Sequence, residues 1–123
     1  MPEVTLTARD RYYAGIGVPQ YSSAVFCFAP DIALAFYHAY RADDLALVNA
    51  LLDRFYRPLV ELRNQGAGYA VSLVKNAVRL EGLDAGLVRA PLAEPKPEHV
   101  ERLSELIAAG RAVLAEHTAG VAA

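Results

Sequence analysis

The sequence has 123 residues, enough for one small domain with its own core but well short of the about 250 residues of a complete (β/α)8 barrel. Hydrophobic residues make up 54% of it and charged residues 21%, with a net charge of −2, so it carries no electrostatic footprint for nucleic acid. Cys27 is the single cysteine, which excludes an internal disulfide and a cysteine-based zinc site and suits a reducing compartment, with the cytoplasm as the default.

In chain order, Met1 to Asp10 carries charges where a signal peptide needs an apolar run, and no later stretch reaches the length of a membrane span; both facts argue against secretion and membrane insertion. Ala8 to Ala14 suits a short helix ended by Gly15 and Gly17, with Pro19 forbidding its continuation. Tyr21 to Phe28, rich in aromatic and β-branched residues, predicts a buried strand running into a loop, and Ala29-Pro30-Asp31 opens the next helix. One strand alone cannot form a sheet, because its backbone N–H and C=O groups would lack ladder partners.

The rest reads as helical. Ile32 to Arg41 is apolar at Leu34, Ala35 and Tyr37 to Ala39, which places His38 among core residues; Asp43 or Asp44 then caps a longer helix with Leu45, Val48, Leu52, Phe55, Tyr56 and Leu59 on one face. Pro58 lies inside that pattern and offers no N–H to the carbonyl of Arg54, so a kink or local break is expected there. After Gly66 and Gly68, Ala70, Leu73, Val74, Ala77 and Val78 repeat with the spacing of one buried stripe, and Gly82 closes that helix. A loop from Leu83 to Lys96 follows. Pro97 begins a last helix with Val100, Leu103, Ile107, Val113 and Leu114 inside, and Thr118 to Ala123 reads as a frayed tail.

Two stretches carry a resemblance. Gly17-Val18-Pro19-Gln20-Tyr21-Ser22-Ser23-Ala24-Val25-Phe26-Cys27-Phe28-Ala29-Pro30 resembles the eighth barrel strand and following turn of 5-dehydro-4-deoxyglucarate dehydratases, Schiff-base lyases of the dihydrodipicolinate synthase superfamily. Arg63-Asn64, Gly68-Tyr69-Ala70-Val71-Ser72-Leu73-Val74-Lys75, Asp84-Ala85-Gly86 and Val88-Arg89-Ala90-Pro91-Leu92 are similar to the same enzymes in order and spacing. The resemblance implies a mainly α chain: the last strand-helix unit of a (β/α)8 barrel, its barrel incomplete, followed by a C-terminal helical domain. Residues 1–42 would be the barrel's end (helix, strand eight, helix eight), residues 43–117 the helical domain and residues 118–123 the tail.

In the resembling enzymes a lysine on the sixth strand condenses with a substrate ketone, and the protonated imine draws off electrons as water and carbon dioxide leave. That lysine and the general acid-base tyrosine of the fifth strand would lie upstream of this chain, which is then inactive by itself and has no catalytic residue. Lys75 matches a C-terminal Val-Lys element outside the barrel, which implies a structural or solvent-exposed role. Ser22 and Ser23 could line a substrate pocket at the barrel mouth or form local hydrogen bonds at a strand end. Cys27 stands where the resembling enzymes usually have asparagine; it either makes a weak polar contact with substrate or packs as a small hydrophobe.

Tyr69 and Arg89 would fix helix and loop positions, Arg89 by bonding last-turn carbonyls or a carboxylate. His38, His99 and His117 lack metal-ligand spacing, and no cofactor or metal is expected. The expected partners are a sugar-acid substrate, only in a complete barrel, and another copy or a longer subunit. Two alternatives stand beside the dehydratase reading: a non-catalytic helical association module, and part of another 2-oxo-acid synthase or aldolase of the superfamily.

Overall fold

A computed structural model describes residues 22–122. The predicted helix over Ala8 to Ala14 and the first residue of the predicted strand lie outside them. Order along the chain is a single 3-10 turn (Ala24–Cys27), α1 (Pro30–Arg41), α2 (Leu45–Leu51), a π turn (Leu52–Tyr56), α3 (Arg57–Arg63), α4 (Tyr69–Leu80) and α5 (Pro97–Ala122).

No strand is present among the described residues, which corrects the expectation for Tyr21 to Phe28 over residues 22–28. The backbone there satisfies itself locally. Ser23 Oγ accepts from the Val25 N–H at 3.2 Å, the Ser23 carbonyl accepts from Phe26 N–H at 3.1 Å, and the Val25 carbonyl accepts from Ala29 N–H at 2.8 Å. With bonds closed within the turn, Val25 and Phe28 still bury their side chains in the core, which is what their apolar character demanded.

Pro30 at the first turn of α1 needs no N–H partner, and Asp31 sits near the positive helix end. The face α1 buries is Ile32, Ala33, Phe36 and Ala39, whereas Leu34 and His38 are exposed. This face is rotated from the expected one: His38 is not a core residue but exposed, its ring tilted against that of Tyr37 at 5.6 Å between centroids. Asp44 is the cap of α2, its carboxylate accepting from Leu47 N–H at 3.3 Å.

The break expected at Pro58 takes the form of a π turn placed just before it. Without an N–H at Pro58, and with its ring crowding the Arg54 carbonyl, the helix widens so that Arg57 N–H reaches back five residues to the Leu52 carbonyl. The extra residue lets two adjacent pairs, Leu51 with Leu52 and Phe55 with Tyr56, all turn inward. Phe36 and Phe55 each meet the Tyr56 ring edge-on, at 5.0 and 4.9 Å between centroids. Fully burying such a side chain stabilises by roughly 1.5–3 kcal/mol.

Around this centre wraps α5, the longest helix at 26 residues, which packs on α1, α2, the π turn, α3 and α4. Leu103, Leu106, Ile107, Gly110 and Val113 face inward at helical spacing. Gly110 permits the close approach: a Cβ there would lie 2.7 Å from Ile32 Cδ1 and 3.1 Å from Phe55 Cδ2. The expected tail is a correction as well, because α5 continues to Ala122. Alanine-rich sequence favours helix intrinsically, and Glu116 and His117 tie the last turns back to Arg54 (2.7 Å) and Asp44 (3.2 Å).

Candidate functional site

The chemistry-bearing residues gather on α4 and the loop that follows it. Buried on α4 are Tyr69, Ser72, Leu73, Asn76 and Ala77, a stripe turned from the predicted one, since Ala70 is exposed and Val74 and Val78 are only half-buried. The turn has a cause: the helix faces both α5 and its own outgoing loop, which Asn76 and the Tyr69 hydroxyl bond. Helix α4 ends in a Schellman motif, with Gly82 N–H bonded to the Arg79 carbonyl at 2.9 Å and Leu83 N–H to the Val78 carbonyl at 3.2 Å, which places Gly82 at φ 97°.

From there the loop is held by side chains. Lys75 Nζ donates to the Leu87 carbonyl at 3.0 Å, and Arg79 Nη2 donates to the Gly86 carbonyl at 3.0 Å. Asn76 Nδ2 donates to both the Ser72 carbonyl (2.8 Å) and the Glu94 carboxylate (3.0 Å), while the other Glu94 oxygen accepts from Val88 N–H at 2.9 Å. Those bonds, Asn76 first and the Val88 N–H second, hold the Glu94 carboxyl below the usual carboxylate range, against a smaller opposing effect of burial. At the loop's far end the Tyr69 hydroxyl accepts from Lys96 N–H at 3.1 Å and bonds His99 Nδ1 at 2.7 Å.

Two resemblance elements therefore meet in space. Gly68, at φ 78°, stands directly against Leu92, whose Cδ2 would be 2.6 Å from a Cβ at that position. Tyr69 fixes the loop to α5 as expected. The Arg89 side chain does not play the part assigned to it: it is exposed and makes no hydrogen bond or ion pair among the described residues, and Arg79 bonds a loop carbonyl instead, while the Arg89 carbonyl accepts from Leu92 N–H at 3.0 Å. Asn76 and Glu94 were not singled out from sequence. Asn76 could have been, as a polar residue at i+4 from Ser72 on the inner side of an amphipathic helix.

The three predicted pocket residues show no common site here. Ser23 is half-buried with its hydroxyl committed to the Val25 N–H, which is the local hydrogen bond weighed for it at a turn in place of a strand end. Ser22 and Cys27 are exposed; Cys27 is thus no buried hydrophobe, because the 3-10 turn directs Val25 inward and Cys27 out. Among the described residues no group of three or more His, Cys, Asp or Glu side chains could hold a metal, and no helix is long and apolar enough to cross a membrane.

Residues 9–110 match the model of the dihydrodipicolinate synthetase family. The chain belongs to that family. It is 70% identical over 107 residues to a probable 5-dehydro-4-deoxyglucarate dehydratase of Streptomyces griseus, which covers 87% of this chain and 33% of the relative. A probable 5-dehydro-4-deoxyglucarate dehydratase 1 of Streptomyces avermitilis is 62% identical over 104 residues (85% of this chain, 33% of the relative), and one from Azotobacter vinelandii is 56% identical over 95 residues (77% and 31%). The chain spans about a third of the length of these curated relatives.

Proposed function

We propose that this chain is the C-terminal third of a 5-dehydro-4-deoxyglucarate dehydratase acting in the cytoplasm, and that it holds the end of the barrel without performing the chemistry. The 70% identity to the Streptomyces griseus dehydratase across 87% of the chain carries the reading. In the complete enzyme, 5-dehydro-4-deoxy-D-glucarate is converted to 2,5-dioxopentanoate, water and carbon dioxide through an imine on a lysine of the sixth strand, upstream of these residues. Ser22, Ser23 and Cys27 then border the substrate pocket at the barrel mouth.

The lysines of this chain, Lys75 and Lys96, support inactivity of the chain alone. Lys75 is committed to the Leu87 carbonyl, on the loop side of α4. Lys75 lies on α4 and Lys96 in the loop before α5, both far along the sequence from the 3-10 turn of Ala24–Cys27.

The test is to incubate purified chain with 5-dehydro-4-deoxy-D-glucarate and borohydride, then read product formation and intact mass. The expected result is no 2,5-dioxopentanoate and no reduced adduct. Turnover with a borohydride-trapped lysine would overturn the assignment of the chemistry to upstream residues. A second reading, a helical association module, is favoured by Leu83 and Leu87, exposed on the loop after α4.

A further inference from the structure

One guanidinium spans the two helices that hold the 3-10 turn. Arg111 of α5 gives Glu81, the residue after α4, two parallel bonds, from Nη1 to Oε1 at 2.8 Å and from Nη2 to Oε2 at 3.1 Å. Its Nε donates to Asp31 Oδ2, in the first turn of α1, at 3.1 Å. Such a planar fork fixes direction as well as distance. The 3-10 turn of Ala24–Cys27 packs against the same two helices, α1 and α4. It is also continuous with the start of α1, because Ala29 N–H donates to the Val25 carbonyl at 2.8 Å and Ala33 N–H to the Ala29 carbonyl at 3.1 Å. Beside Arg111, Gly110 lets α5 close on Ile32, whose Cδ1 would be 2.7 Å from a Cβ there. Two adjacent residues of α5 thus hold two adjacent residues of α1, Arg111 holding Asp31 by charge and Gly110 admitting Ile32 by contact.

We propose that Arg111 is a positioning residue: by bonding Asp31 and Glu81 at once it sets the gap between the start of α1 and the end of α4, and so fixes the 3-10 turn that Ser23 caps and Cys27 ends. The side chains of Arg111, Asp31 and Glu81 are 40%, 46% and 33% exposed, and ion pairs of that exposure contribute little to global stability. What Arg111 supplies is placement. Burial of Val25 and Phe28 holds the turn on the core, but the hydrophobic effect is non-directional, whereas the three bonds of one guanidinium are not. The consequence for substrate rests on the dehydratase reading, in which Ser22, Ser23 and Cys27 border the pocket. The placement of the turn does not.

Amide hydrogen exchange read by NMR on the full 123-residue chain tests the placement. In Arg111→Met the Phe28 and Ala29 amides, whose bonds to the Val25 carbonyl close the turn, should exchange about fivefold faster while the urea midpoint moves little. Arg111→Lys, which keeps the charge but not the fork, should fall between Arg111→Met and wild type. Arg54→Met removes a similarly exposed pair with Glu116 elsewhere on α5 and should leave those amides as in wild type. Unchanged exchange in Arg111→Met overturns the proposal, as does equal acceleration in Arg54→Met or acceleration that only follows a loss of global stability. The consequence for substrate is read by joining this chain to the upstream two-thirds of the Streptomyces griseus relative. There Arg111→Met should raise KM for 5-dehydro-4-deoxy-D-glucarate about threefold with kcat unchanged, because the turn touches the pocket wall and not the reacting atoms. An unchanged KM would sever Arg111 from the pocket. A folded fusion without turnover would overturn the dehydratase reading instead, and the exchange comparison still decides the placement.

Discussion

Glu94 joins Asn76 of α4 to the Val88 N–H of the loop, and so converts a surface carboxylate into a loop anchor. Its folded-state pKa lies below the ordinary 4.5, so its contribution to stability is fully present above the unfolded value and is lost as pH falls through the folded one. Glu94→Gln keeps the size but presents an amide with a single acceptor oxygen. We predict that it lowers the urea midpoint at pH 7 and that the gap to wild type closes on acidification below about pH 4. A gap that persists unchanged at low pH would mean that the charge is not what anchors the loop. Lys75 anchors the same loop, its ammonium donating to the Leu87 carbonyl.

At the scale of elements, α4 is bounded by positive-φ glycines, Gly68 before it and Gly82 after it. Gly68 has the stricter requirement, because an L-residue at φ 78° is strained and its Cβ would also displace Leu92. Gly68→Ala is predicted to cost about 1–2 kcal/mol in urea unfolding. Gly120→Ala is the control: nothing lies within 4 Å of a Cβ there and the helix favours alanine, so stability should hold or rise slightly. Equal effects at both positions would show that backbone strain at Gly68 is not the cause. The π turn belongs to this scale too, since Pro58 dictates it and the inward placement of Leu51, Leu52, Phe55 and Tyr56 depends on it.

Across the whole molecule, α5 is the element against which the others are assembled. Arg111 on α5 pairs with Glu81 at 2.8 and 3.1 Å and with Asp31 at 3.1 Å, linking the end of α4 and the start of α1, and these two carboxylates raise its pKa further above an already high value. The triad is partly exposed, so each pair contributes little in water and the apolar contacts beneath decide the assembly. Gly110 is where those contacts are tightest. Gly110→Val forces Ile32 and Phe55 apart, and a loss of about 1–3 kcal/mol is expected by thermal or urea unfolding. An unchanged midpoint would mean that α5 can shift outward without loss of packing.

The sequence by itself determined the family and the helices. Gly68-Tyr69, Val74-Lys75 and Arg89-Ala90-Pro91-Leu92 carried the resemblance, and Pro30, Asp44, Gly82 and Pro97 marked helix ends through local backbone chemistry that needs no distant partner. Tertiary structure decided what local signals could not. Val25 and Phe28 are buried whether the backbone is a strand or a 3-10 turn, and only the identity of the hydrogen-bond partners separates the two. The rotated stripes of α1 and α4 have the same origin. Periodicity fixes the width of an apolar face, but its direction is set by the helices packed against it, and on α4 by a loop whose carbonyls bond Lys75 and Arg79 and whose Glu94 carboxylate bonds Asn76.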